Sequence, residues 1–201
     1  MKKQSNLKRL FIFNGLLLVV AFAVIQYSVV KNEPVQTLNI NPSIQGDFAK
    51  RLTMFHTPRD IPNIQFKTVF DKQMSLDDLK GQWVILNLWA TWCPPCLVEM
   101  PSLQQLQDTY GGQDMKIVAV SLDRNMEGKK LRTFMAKYQF GAIAGYYGDF
   151  PTIKGQVEIE GLPTTYIIAP NGQAVGMYQG DTDWVSEDAK VFVDSLTQRQ
   201  K

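Results

Sequence analysis

An excess of charge of either sign is missing from this 201-residue chain, histidine occurs once and cysteine only twice. Lysine and arginine number 21 against 19 acidic residues, a net charge of +2 with no basic stripe, which leaves no electrostatic footprint for nucleic acid. Charged residues make up 20% and hydrophobic ones 45%, so the chain is not a largely disordered one. Its length suits one domain with an appendage rather than two domains.

The charge that matters is local. Lys2, Lys3, Lys8 and Arg9 precede an apolar run from Leu10 to Val30, interrupted mainly by Asn14, Gln26 and Ser28. A helix of that length reaches about 30 Å, the thickness of a bilayer's hydrocarbon core, and the basic flank stays in the cytoplasm. The expected organisation is a cytoplasmic flank over 1–9, a transmembrane signal-anchor over 10–30, a periplasmic tether over 31–58 and the folded domain over 59–201. Two other readings share the apolar run. Cleavage of a signal peptide after Ala21-Phe22-Ala23 would leave Val24, Ile25, Tyr27, Val29 and Val30 as an exposed stub, and a buried core helix lacks the amphipathic period it needs. Anchor and signal peptide both export the domain. Pro34, Asn41-Pro42-Ser43 and Gly46 interrupt the tether, with a short helix over Ile44 to Met54 as a weaker signal.

Beyond residue 59 strand and helix patterns alternate, which predicts an α/β fold with helices on both faces of a sheet. Ile64 to Val69 reads as an edge strand or hairpin and Leu76 to Lys80 as a short helix stopped by Gly81. Trp83 to Trp89 and Met115 to Ser121 read as buried strands because apolar residues run through them almost without a break. Helices are expected from Cys93 to Tyr110, about Asn125 to Tyr138 and about Asp183 to Thr197. The stretch from Ala142 to Glu160 predicts a short strand and a short helix, and Thr164 to Ala169 pairs with Ala174 to Gln179 across the Asn171-Gly172 turn.

The two cysteines stand three residues apart, as Trp92-Cys93-Pro94-Pro95-Cys96, at the junction of a strand and a helix. Residues at that spacing share a helix face, so two thiols there can close and reopen a disulfide. Unpaired N–H groups and the positive end of the helix dipole favour a thiolate at Cys93, which makes it the attacking thiol and Cys96 the resolving one. Pro94 suits the first helical position, while Pro95 removes an N–H that could have reached the Cys93 sulfur. The Cys96 N–H is then the nearest donor, and a weakly stabilised thiolate predicts a reducing couple.

Glu99 lies three residues beyond Cys96 in the apolar segment Leu97-Val98-Glu99-Met100. Partial burial would raise its pKa and let it exchange protons with the thiols; a surface acid in the first turn of a helix is the alternative. Pro101 is expected to kink this helix. Gly161-Leu162-Pro163-Thr164-Thr165 opens a strand with a proline, and a cis Leu162–Pro163 bond would turn backbone groups of Leu162 towards the dithiol to meet an extended substrate.

The segment Val84-Ile85-Leu86-Asn87-Leu88-Trp89-Ala90-Thr91-Trp92-Cys93-Pro94-Pro95-Cys96 resembles the active site of the thioredoxin superfamily, and more narrowly of membrane-anchored TlpA/ResA/DsbE-like thiol-disulfide oxidoreductases. Met74-Ser75-Leu76-Asp77-Asp78-Leu79-Lys80-Gly81 and Gly161-Leu162-Pro163-Thr164-Thr165-Tyr166 are similar to the same family, and the resemblance covers roughly residues 58–198. It implies a thioredoxin fold with a central mixed sheet and a TlpA-like insertion within Asp123 to Glu160. It also implies a cis bond at Pro163, a helix kink at Pro101 and a cysteine-tuning role for Glu99. Trp92, Leu162 and Pro163 become the expected substrate-binding residues, and Pro94, Pro95 and Asn87 the residues that tune the pair. Asn87 stands where cytoplasmic thioredoxins carry a buried aspartate; an amide cannot relay a proton, so that role passes to Glu99 or water.

The resemblance implies an exported reductase of disulfide-bearing proteins, recharged by a DsbD/CcdA-like membrane thiol-electron transporter and held at the bacterial inner membrane. Apocytochrome c is one implied client, although DsbE-type cytochrome c maturation proteins carry a more specialised proline loop. No metal is called for, and no cofactor beyond the Cys93–Cys96 disulfide. Two alternatives are weaker. A thiol peroxidase wants a Thr-x-x-Cys pocket and a nearby arginine, which Trp92-Cys93-Pro94-Pro95-Cys96 does not offer. A copper chaperone wants a histidine beside the pair, whereas the one histidine, His56, falls in the expected tether.

Overall fold

Ile44, Phe48 and Leu52 recur every fourth residue, and all three are buried in the same apolar cluster as Trp184 and Phe192. The computed structural model describes residues 44–197 apart from 113, 141, 142 and 144. The expected flank, anchor and first part of the tether lie outside the described residues, among which no helix is long and apolar enough to cross a membrane. Helix α1 (Gly46–Arg51) leads into β1 (Leu52–Arg59), which pairs antiparallel with β8 (Ala174–Gln179). The tether expected over 31–58 therefore does not extend that far. Folded chain is already present at Ile44, because a short apolar period set among polar residues finds its cover in distant elements. His56 accordingly lies on an exposed face of β1 rather than in a loose tether.

The remaining elements follow the alternation read from the sequence. They are β2 (Gln65–Thr68), β3 (Gln73–Ser75), a 3₁₀ turn (Leu76–Leu79), β4 (Trp83–Trp89), α2 (Pro94–Tyr110), β5 (Met115–Ser121), α3 (Gly128–Tyr138), β6 (Gly145–Tyr147), α4 (Phe150–Lys154), β7 (Thr164–Ile168), β8 and α5 (Glu187–Thr197). One mixed sheet has the order β1-β8-β7-β4-β5-β6-β2-β3. β4 runs parallel to β5 and antiparallel to β7, and every residue of β4 is buried. Ile85 contributes to the apolar cluster on one face, and Val84, Leu86 and Leu88 to that on the other.

The two faces are covered unequally. Side chains of α1, α2, α3 and α5 join the first cluster, while the 3₁₀ turn and Ile153 of α4 cover the second. The stretch between β5 and β7, where an insertion was expected, supplies α3, β6 and α4; β6 extends the parallel part of the sheet and accepts the β2–β3 hairpin. Among the glycines that geometry demands, two shape β8. Gly172 takes φ +91° in the β7–β8 turn, and a Cβ on Gly176 would lie 2.8 Å from the Thr53 carbonyl oxygen, so β1 can join β8 only beside a glycine.

Phe48 packs against Tyr178, Trp184 and Phe192 with ring centroids 5.1, 6.1 and 5.8 Å away. Phe48→Ala is expected to lower the unfolding free energy by about 3 kcal/mol, read from urea denaturation, whereas a tether residue would cost almost nothing.

Candidate active site

Cys93 is the N-cap of α2 and Pro94 and Pro95 fill the first two helical positions, so the helix begins without two of the N–H groups that would otherwise be orphaned. The Cys96 N–H donates to the Cys93 sulfur at 3.3 Å, as the spacing predicts. Cys93 and Cys96 are joined by a disulfide, with Cα atoms 5.3 Å apart. Cys93 keeps 4% exposure and Cys96 none, so an incoming sulfur can reach only the first. The Leu162–Pro163 bond is cis, and the Leu162 carbonyl oxygen stands 3.6 Å from the Cys93 sulfur. Trp92 beside the pair is 69% exposed. α2 runs from Pro94 to Tyr110 as one helix, with Pro101 inside it.

The loop before Trp92 is pinned by Asp123. Its carboxylate accepts from the Thr91 N–H at 2.9 Å, the Thr91 hydroxyl at 2.6 Å and the Ser121 hydroxyl at 2.6 Å. These bonds fix the strand-to-helix turn that presents the cysteines.

Behind the disulfide, Glu99 is 1% exposed. Burial pushes its pKa from the ordinary 4.5 up to about 8, against the opposing pull of hydrogen bonds from Asn87, Trp184 and the Thr182 backbone; nearby Asp181 pushes the same way as burial. The Asn87 amide donates to one carboxyl oxygen at 2.7 Å and the Trp184 indole N–H to the other at 3.1 Å. Asn87 also donates to the Thr165 hydroxyl at 2.9 Å, directly across the β4–β7 ladder, and its own carbonyl oxygen is buried with no partner. The chain thus brings Cys93, Cys96, Glu99, Asn87, Leu162 and Pro163 to one end of the sheet, and Glu99 is a buried acid rather than a surface one. At a pKa near neutrality such a carboxyl can both give and take a proton.

A family model described as AhpC/TSA family matches residues 58–181. The thiol-disulfide oxidoreductase ResA of Oceanobacillus iheyensis is 32% identical to this chain over 189 residues, spanning 89% of it and 85% of that protein. The chain belongs to the thioredoxin-like thiol-disulfide oxidoreductases of the AhpC/TSA family. The thioredoxin-like protein YneN of Bacillus subtilis is 29% identical and covers 73% of the chain and 85% of its own length. Among solved structures, a thiol:disulfide interchange protein of the thioredoxin family from Chlorobium tepidum is 26% identical with a TM-score of 0.56, covering 69% of this chain and 97% of that one.

Several residues of this oxidoreductase site are invisible to sequence reasoning. Thr165 meets Asn87 and Trp184 meets Glu99 from 78 and 85 residues away, and no local period marks them. Asp123 follows a buried strand as many loop acids do. Ser102, next to Pro101, accepts from the Trp184 backbone N–H at 3.1 Å and donates to the Glu99 carbonyl at 2.8 Å.

Glu99 holds its proton in the folded chain up to about pH 8, while the unfolded chain releases it near 4.5. The stabilisation carried by the neutral carboxyl is complete below that lower value and is lost as pH rises through the upper one. Unfolding free energy should therefore fall with rising pH across the window, by at most about 1.4 kcal/mol per pH unit, and Glu99→Gln should remove the slope; urea titration of the oxidised protein across this range measures both.

Proposed function

We propose that this protein is an extracytoplasmic, membrane-tethered reductase of protein disulfides. The observation that carries the reading is an asymmetric pair: Cys93 alone meets solvent, and a buried acid stands one helical turn behind Cys96. Cys93 thiolate attacks one sulfur of a client disulfide, forming a mixed disulfide and releasing one client thiolate, which takes up a proton. Cys96 passes its proton to Glu99 and attacks the Cys93 sulfur. The second client sulfur leaves as a thiolate and takes up a proton from water, the Cys93–Cys96 disulfide closes and two electrons have moved to the client.

Recharging runs the same steps backwards with an external dithiol. That donor attacks Cys93, and Glu99, protonated at neutral pH in the oxidised chain, gives its proton to the departing Cys96 sulfur. Among the described residues the Cys96 N–H is the donor that reaches the Cys93 sulfur, which supports a modestly stabilised thiolate and hence a reducing couple. Exposed Trp92 and the Leu162 backbone at Pro163 form the client-facing rim, and Pro94, Pro95 and Asn87 tune the pair.

The apolar run from Leu10 to Val30 with its basic flank supports anchoring in the bacterial inner membrane with the domain outside the cytoplasm. A reductase in an oxidising compartment needs a continuous electron supply, so its donor is a DsbD/CcdA-like membrane thiol transporter. Clients are exported disulfide-bearing proteins; apocytochrome c is one candidate among them.

Cys96→Ala expressed in the native host should accumulate mixed disulfides on Cys93, identifiable by mass spectrometry, and Cys93→Ser should trap none. If Cys96→Ala traps nothing while the wild type still reduces proteins, the mechanism fails. Glu99→Gln should slow reduction of the disulfide by a small dithiol about 100-fold near pH 7.

A further inference from the structure

We infer that Trp184 is a positioning residue of the exchange reaction: its indole N–H holds one oxygen of the Glu99 carboxyl and so governs when Glu99 trades a proton with the cysteine pair. This rests on the proposed role of Glu99 as proton carrier.

Trp184 is fully buried, 85 residues beyond Glu99 in sequence and just before α5, and four contacts immobilise it. Its backbone N–H donates to Ser102 on the same helix as Glu99, its indole N–H donates to Glu99 at 3.1 Å, and its ring is walled by Tyr178 at 5.5 Å and Phe48 at 6.1 Å. Phe48 belongs to α1, so that helix braces the ring that holds the acid. An indole N–H donates and never accepts. It therefore favours the carboxylate over the acid, and offers the acid's proton no acceptor to hold it. Asn87 presents its amide N–H to the other oxygen, so both side-chain neighbours of the carboxyl are donors. A proton arriving on Glu99 is not captured by either, which suits a group that must surrender it.

Few charges compete with this control. Asp181 opposes the carboxylate, the Arg51 guanidinium donates to the Asp181 carbonyl oxygen, and the Tyr178 phenol lies in the same aromatic cluster with its pKa raised by burial. From the sheet side the facing groups, Asn87 and Thr165, do not titrate. At the start of its own helix Cys93 and Cys96 are joined in the disulfide and do not titrate in the oxidised chain.

The test uses the oxidised full chain with Trp184→Phe, and with 3-benzothienylalanine at position 184, which keeps the indole's shape without the N–H. Glu99 is followed by carbon NMR of its labelled carboxyl, and reduction of the disulfide by dithiothreitol is followed against pH. Both replacements should move the Glu99 titration upward by about one pH unit, and the rate profile should move with it. Phe192→Leu, which loosens the aromatic cluster without touching the indole N–H, should leave the titration in place. An unmoved titration in both replacements, or an equal shift in Phe192→Leu, overturns the inference. A titration that moves while the rate profile stays still overturns it as well. A profile insensitive to Glu99→Gln in the otherwise wild-type chain would instead overturn the role given to Glu99.

Discussion

A carboxyl group withdrawn from water is the constraint on which the rest of this structure depends. Glu99 sits in the interior with Asn87 on one oxygen and Trp184 on the other. Burying an ionisable group without partners would cost several kcal/mol, so three separate parts of the chain have to converge on it. β4 brings Asn87, α2 brings Glu99 with the cysteines, and the loop before α5 brings Trp184. The acid therefore acts as a rivet between sheet and helices.

The sheet register links this rivet to the surface. Asn87 pairs with Thr165 across β4 and β7, and β7 begins one residue after Pro163, whose neighbour Leu162 stands against the Cys93 sulfur. On the other side, the Leu122 N–H donates to the Trp89 carbonyl at 2.8 Å and Asp123 clamps Thr91. The turn carrying the disulfide is thus held from both neighbouring strands. Rigid support of this kind keeps an attacking sulfur within reach of its partner without a search for geometry.

Legibility from sequence followed the physical source of each signal. β4 and β5 are readable to the residue because strands buried on both faces are written as nearly unbroken apolar runs. The dithiol, Glu99 and Pro163 are readable because their spacing and their family motif are local. What escaped was set by contacts across sequence. Phe48 looks like one apolar residue in a polar stretch until Tyr178, Trp184 and Phe192 surround it. For the same reason the domain appeared to begin at residue 59, although α1 and β1 are already part of it. Trp184 gives no hint of its polar duty, since an aromatic ahead of a helix is ordinary core until its N–H is seen to face a carboxyl.

The two rims of the sheet bear on how the protein meets other chains. A protein that exchanges disulfides with other chains meets them while their own backbone is only partly satisfied, and an open strand rim would recruit them irreversibly. One rim here is β1, whose pairing shifts register between Met54 and Arg59 and which carries Pro58 near its end. The other is β3, three residues long and flanked by Lys72. Neither offers a long flat template for further strands. Strand pairing at either rim, which would persist as an aggregate, is thereby discouraged, while a bond made at the sulfur can be undone.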